Sequence, residues 1–369
     1  MSNYKYKCWR GVIAMSIESR RKLLIKQIED SRKDIRSDRM DMSFGEIMNM
    51  YEEEELIISP EFQRAFRWEK KTQTRFIESL LLGIPIPPIF VAETKENIWE
   101  LVDGLQRLST VLSFFGKLKD QKKNNLVLED ASILTELKGF SVDDLPLNYK
   151  LLLKRAVCRI EVIRYESEFD MRYELFNRLN TGGVLLSEQE IRNCIFRSYD
   201  NKFNAFIKKE AKQKYFTDII RLRKEDEERM YADELILRFF TLKNFGATFN
   251  KNIQEHMDSY MLKVSKGEVK FDYDEEHKIF EQTCQIIQNL NENVFKLSTL
   301  NFSTSMYDAI MINVALNLDK VSEYTAEEFL SRINELKKNT EFRKNTNAAS
   351  SSKYRINTKI EIAHKILFK

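Results

Sequence analysis

One stretch of the 369-residue chain, residues 101–115 (LVDGLQRLSTVLSFF), constrains the fold more than any other. An apolar strand over 98–102 runs into Asp103-Gly104 and then straight into an amphipathic helix. Leu105, Leu108, Leu112 and Phe115 recur at helical spacing and predict a buried stripe, and Gly116 suits the C-terminal cap. Asp103 suits the N-cap, and Gly104 lets a backbone or a ligand come close. Gln106 and Arg107 fall in the first turn, away from the stripe. Free N–H groups at a helix start favour an anion, and an arginine one turn in adds a bidentate phosphate donor. The plainer reading is an ordinary strand–turn–helix with a capping aspartate, since Asp-Gly is a common turn pair.

The flanking segments read as a small α+β domain built on that turn. Ser43 opens a short helix, and a strand follows at 56–58. In the loop from Ser59 to Trp68, Pro60 breaks regular structure while Phe62, Phe66 and Trp68 anchor it, projecting Gln63 and Arg64. The next helix carries Phe76, Ile77, Leu80 and Leu81 on one face and stops at Gly83 and Pro85. Strands at 89–92 and 98–102 form a hairpin through Lys95-Glu96-Asn97. After a polar stretch at 117–138, read as a variable loop plus a short helix, a helix leads to Ala156 and a strand spans 157–164, with Cys158 a core residue that no nearby histidine could activate. Residues 17–33 form a basic helix with Leu23, Leu24 and Ile28 as its apolar set. It reads as a surface helix packed on the domain, a DNA-contacting arm being the sharper alternative. Residues 1–14 are irregular, and Met15 competes with Met1 as the start.

A second informative stretch lies at 169–196. Leu175, Phe176 and Leu179 mark a helical face that ends at Asn180-Thr181-Gly182-Gly183, and Ser187-Glu188-Gln189-Glu190 has capping-box spacing. Asn177, Arg178 and Asn180 sit at a helix end beside glycines, suited to hydrogen bonds with a ribose, base or phosphate, or simply to C-cap chemistry. Beyond residue 197 the pattern is nearly all helix, at 203–213, 232–242, 275–297, 305–318, 326–338 and 357–368. The charge run 221–229 reads as a solvated connection and 339–356 as a polar loop.

Charge is nearly balanced at +3, which argues against a global polycation while allowing a local basic groove. Four scattered cysteines without C-x-x-C argue against a disulfide framework or zinc knuckle. His256, His277 and His364 show no ligand spacing, so no metal site is expected among them. P-loop and G-x-G-x-x-G motifs are absent, and no apolar run could span a bilayer; a cytoplasmic location is expected.

Three motifs in order carry a resemblance: Pro60-Glu61-Phe62-Gln63-Arg64 with Trp68, Gly83-Ile84-Pro85-Ile86-Pro87, and Val102-Asp103-Gly104-Leu105-Gln106-Arg107-Leu108. They resemble the N-terminal domain of GmrSD-type restriction endonucleases, in the ParB/sulfiredoxin-like superfamily. Phe176–Asn180, Leu186-Ser187 and Glu190 are similar to that pattern too. Where the family's central motif reads Asp-Gly-Gln-Gln-Arg, Leu105 holds the third position here, on the apolar stripe. The resemblance implies an α+β, ParB/sulfiredoxin-like domain at 43–196, after a helical arm at 1–42 and before a helical domain at 197–369. It implies a nucleoside triphosphate ligand, with Mg2+, and NTP hydrolysis in defence against foreign or modified DNA. Asp103, Gln106 and Arg107 would be catalytic; Gln63, Arg64, Gly104, Thr110, Asn177, Arg178 and Asn180 would bind the nucleotide. DNA, a separate nuclease subunit and a second copy of the chain are the candidate macromolecular partners. With no histidine-based nuclease module in view, DNA cleavage is not expected of this chain alone. The alternatives are a non-hydrolysing sensor of modified DNA and a regulatory subunit of another nuclease.

Overall fold

The computed structural model describes residues 17–33, 37–58, 66, 68–94, 96–164, 178, 187–197, 201–228, 230–246, 252–290, 292–297, 302–346 and 352–369. The chain divides into two compact units, Met1–Leu185 and Leu186–Lys369. The first has the α+β composition expected, and the second is helical.

In the first unit, helix α1 (Ile17–Lys33) precedes strand β1 (Ser37–Ser43) and helix α2 (Phe44–Glu52), whose N-cap Ser43 accepts from the Glu46 N–H. Strand β2 (Leu56–Ile57), helix α3 (Lys70–Leu81), the hairpin β3 (Ile89–Glu93) and β4 (Trp99–Asp103), and helix α4 (Leu105–Phe114) follow. Helix α5 (Leu147–Arg155) and strand β5 (Val157–Ile163) complete it. The sheet order is β1-β5-β3-β4-β2. β1/β5 and β3/β4 are antiparallel, whereas β3/β5 and β2/β4 are parallel. Leu105, Leu108 and Leu112 of the expected α4 stripe are buried, with Val111 and with Ile89, Val91, Leu101 and Val102 of the strands, whereas Phe115 past the helix end is half-buried and Phe114 is buried instead. The helix ends in a Schellman turn, with Gly116 at φ 70°, its N–H bonded to the Ser113 carbonyl and that of Lys117 to the Leu112 carbonyl.

Three expectations need correction here. Residues 37–43 are a strand, because Arg39 faces Glu161 and Asp41 faces Arg159 across the β5 register while Met40 and Met42 turn inward. On α1, Leu23, Leu24 and Ile28 are 47–54% exposed, so its apolar side is not packed on the domain. The 117–138 stretch forms two 3-10 turns, Gln121–Lys123 and Thr135–Leu137. Glu78 of α3 ties down the segment before the second turn by accepting from the N–H groups of Ser132, Ile133 and Leu134. Burial raises this carboxyl's pKa, but the three backbone donors outweigh that and hold it below its ordinary value. Residues 1–14 and Met15 lie outside the described residues.

The second unit comprises α6 (Glu188–Arg197), α7 (Asn201–Ala211), α8 (Lys214–Ile220), α9 (Lys224–Glu228), α10 (Tyr231–Phe245) and α11 (Ile253–Ser265), then α12 (Tyr273–Asn289), α13 (Thr304–Leu316), α14 (Leu318–Val321), α15 (Ala326–Lys338), α16 (Thr340–Lys344) and α17 (Lys353–Leu367). The capping box at α6 forms as its spacing requires: Ser187 N–H donates to Glu190, and Glu190 N–H to Ser187 Oγ. The 221–229 run includes the helix α9, and 339–356 contains α16 and the start of α17, so neither is a plain connection. Helix α13 is the core element, buried from Ser305 to Ala315.

Candidate functional site

Strand β4 delivers Asp103 to the rim of the sheet, and the chain turns at Gly104 into α4. Gly104 takes φ 100°, a left-handed conformation that glycine adopts without penalty. A Cβ there would stand 2.8 Å from Ile89 Cγ1, so this glycine makes room for β3 rather than for a ligand. Gly104 is itself the N-cap residue, and no side chain caps the helix. Asp103 therefore does not cap, contrary to expectation. Its carboxylate instead accepts from Arg107 Nη2 at 2.7 Å, one turn on. The start of α4 has no side-chain cap from its N-cap residue.

Arg107 is the most heavily engaged residue of the turn. Its Nη1 donates to the carbonyls of Pro87 and Pro88 at 2.5 and 2.9 Å, while Nη2 holds Asp103. Its side chain is 12% exposed and that of Asp103 38%, so the pair offers a carboxylate outward and keeps the guanidinium inside. Gln106 Oε1 accepts from the Trp68 N–H at 3.0 Å, and Gln73 Nε2 of α3 donates to the Trp68 carbonyl at 2.7 Å. Two glutamines thus hold the Trp68 backbone from its N–H and its carbonyl, and the Trp68 ring meets Phe76 edge-on at 5.8 Å. Here the expected tryptophan anchor is realised, through its backbone as much as its ring.

Thr110 departs from expectation. It is fully buried, and its hydroxyl donates to the Gln106 carbonyl at 2.6 Å, so it is part of the helix interior and not a ligand contact. Cys158 is also fully buried; burial pushes its thiol up to about 11, which suits a core residue and not a nucleophile. Arg178 is helical and exposed, while Gln63, Arg64, Asn177 and Asn180 lie outside the described residues. Of the expected site residues, the structure gathers Asp103, Gly104, Gln106 and Arg107 on one turn. Sequence reasoning missed Gln73 and the Pro87 and Pro88 carbonyls. Backbone acceptors leave no mark in side-chain chemistry, but two adjacent prolines, whose carbonyls lack helix partners, are a signal that an arginine can use.

The histidines serve local packing. His256 Nε2 pairs with the Phe245 carbonyl, His277 Nδ1 with Glu210, and His364 Nδ1 with Asn313. Among the described residues no helix is long and apolar enough to cross a membrane.

A mixed five-stranded sheet, with an uncapped helix start where β4 ends in Asp-Gly, defines an α+β domain with one conspicuous turn. Residues 44–197 match the family model of the GmrSD restriction endonuclease, N-terminal domain, in line with the resemblance carried by the three motifs. No curated protein and no solved structure matches the chain.

Proposed function

We propose that the chain binds a nucleoside triphosphate at the first turn of α4 and hydrolyses it in a DNA-directed restriction or defence system. The restriction setting follows from the family of residues 44–197. The nucleotide reading rests on one observation: an uncapped helix N-terminus sits beside the Asp103–Arg107 pair. N–H groups at a helix start and a guanidinium attract phosphate oxygens, and the half-exposed carboxylate is the hard oxygen ligand that Mg2+ takes. Such an ion would neutralise phosphate charge there. Phosphoryl transfer asks mainly for positioning and charge neutralisation, within the means of these residues. A ParB-like relationship for the sheet and a cytoplasmic location belong to the same proposal.

A second reading is favoured by Gln106. Its amide oxygen is held by the Trp68 N–H, which restrains it as a water-positioning group. The same site would then bind a nucleotide or a DNA phosphate without cleaving it, and the chain would serve as a sensor or as the regulatory subunit of a separate nuclease. Titration calorimetry with ATP, GTP, CTP and UTP in Mg2+, beside phosphate release with and without duplex DNA, separates the two. Hydrolysis lost in Asp103→Ala supports the NTPase; binding lost in Arg107→Ala without turnover in wild type supports the sensor. Binding of no nucleotide, with duplex affinity that falls steeply with salt, overturns the nucleotide reading altogether.

A further inference from the structure

Helix α3 uses buried polar side chains as posts for distant backbone. Thr74 accepts from the Glu129 N–H at 2.8 Å, and Glu78 from those of Ser132, Ile133 and Leu134, so both hold the 117–138 stretch. Gln73 holds something else. Its Nε2 donates at 2.7 Å to the Trp68 carbonyl, and the Trp68 N–H donates at 3.0 Å to Gln106 Oε1 in the first turn of α4. Trp68 and Gln73 flank the first turn of α3, at the two positions where an apolar pair commonly staples a helix start. The second of these positions nevertheless carries an amide, only 8% exposed, and Trp68 takes its apolar contact from Phe76 instead. Burying an amide costs free energy unless it is bonded, so a glutamine in place of a hydrophobe points to what its bond holds.

A backbone N–H can meet only the oxygen end of a glutamine amide, so the bond from Trp68 sets which way the Gln106 amide faces. That N–H belongs to a residue outside any helix or strand, with no ladder of its own to fix it. The two bonds bracket the φ and ψ of Trp68, so the bond from Gln73 steadies the direction of the N–H that Gln106 receives. Resting on the nucleotide reading above, we propose that Gln73 is a positioning residue for the α4 site: through the Trp68 backbone it holds Gln106 in one orientation before a phosphate arrives. A glutamine side chain has several rotatable bonds, and ordering it only on binding lowers affinity. Gln106 ordered in advance avoids that loss, and Gln73 acts on the ligand only through Gln106.

Calorimetry with ATP, GTP, CTP and UTP in Mg2+, on the full chain, tests the link in a double-variant cycle. Gln73→Met keeps the length of the side chain and removes the donor. It is expected to weaken binding about threefold to tenfold, the loss that goes with ordering one such side chain. Gln106→Ala is expected to weaken it at least as much, and the double variant no further, because Gln73 then has nothing to orient. A merely structural Gln73 would multiply its loss with that of Gln106→Ala, and this outcome overturns the proposal. Wild-type affinity in Gln73→Met or in Gln106→Ala overturns it too, and leaves the Asp103–Arg107 site standing. In the unliganded protein, the side-chain amide NMR signals of Gln106 are expected to shift in Gln73→Met while those of Gln288, in the helical unit, stay in place. Unmoved Gln106 signals overturn the link whether or not a nucleotide binds. Should wild type bind no nucleotide, the site and its positioning residue fall together. Gln73→Asn, an amide one methylene too short for the Trp68 carbonyl, carries the same expectations if Gln73→Met does not fold.

Discussion

The two units handle charge in opposite ways. In the first, most ion pairs lie on the surface: Arg39–Glu161, Arg159–Asp41, and Arg164 bridging Asp38 and Glu93 decorate the sheet rim. In the second, beside exposed pairs such as Lys369–Glu335, others run through the core. Arg238 grips Asp308 with two bonds of 2.5 and 2.6 Å, with side chains 6% and 0% exposed. Arg192, wholly buried, bonds Asp258, Gln254 and Gln189, and Lys359 donates to Ser305 at 2.8 Å. Exposed pairs are screened and contribute little, whereas a buried charge that loses its partner is left without solvation. The helical unit therefore depends on its buried polar groups for integrity more than the sheet unit depends on its exposed ones.

Asp308→Ala breaks this contrast most severely. It strands Arg238 and is expected to destabilise the helical unit by about 3–5 kcal/mol in urea unfolding, while Arg238→Leu with Asp308→Leu recovers most of the loss. Next comes Lys359. Burial, ahead of its charged neighbours, lowers its pKa from 10.5 to about 8, so the unfolded chain holds the extra proton between these values and stability rises with pH across that window. Full expression of the shift amounts to about 3 kcal/mol, and the difference between wild-type and Lys359→Met unfolding curves from pH 7 to 11 should carry that slope. Gly104→Ala imposes a left-handed alanine and a clash with Ile89; a loss of about 1–3 kcal/mol, seen as a lower melting temperature of the sheet unit, is expected. Smallest is Asp41→Asn, which should leave thermal unfolding unmoved although it removes the charge and one of the two acceptors that Arg159 uses.

The regions that could be read from sequence are those where burial and period coincide. The α4 stripe, the β3–β4 hairpin and the 326–338 helix follow directly from apolar spacing. Strand β1 escaped because charge pairing across the register, and not apolar alternation, holds it in place. Helix α11 went unread although Ile253, Met257, Tyr260, Met261 and Val264 have the helical period, since Gln254, Glu255, His256 and Asp258 dilute the stripe. At the candidate site, Asp103, Gln106 and Arg107 were legible as residue types on one turn. Their partners were not, because Pro87, Pro88 and Trp68 contribute backbone atoms, whose placement only the tertiary fold decides.

The two outermost strands carry a further consequence. At one margin β2 has only two residues, and at the other β1 presents Asp38, Arg39 and Asp41 to water. A foreign strand arriving at either border finds too short a template or a row of fixed charges, so the sheet resists growth by strand addition. Built-in protection against fibrillar association thus comes from the least apolar strand of the domain.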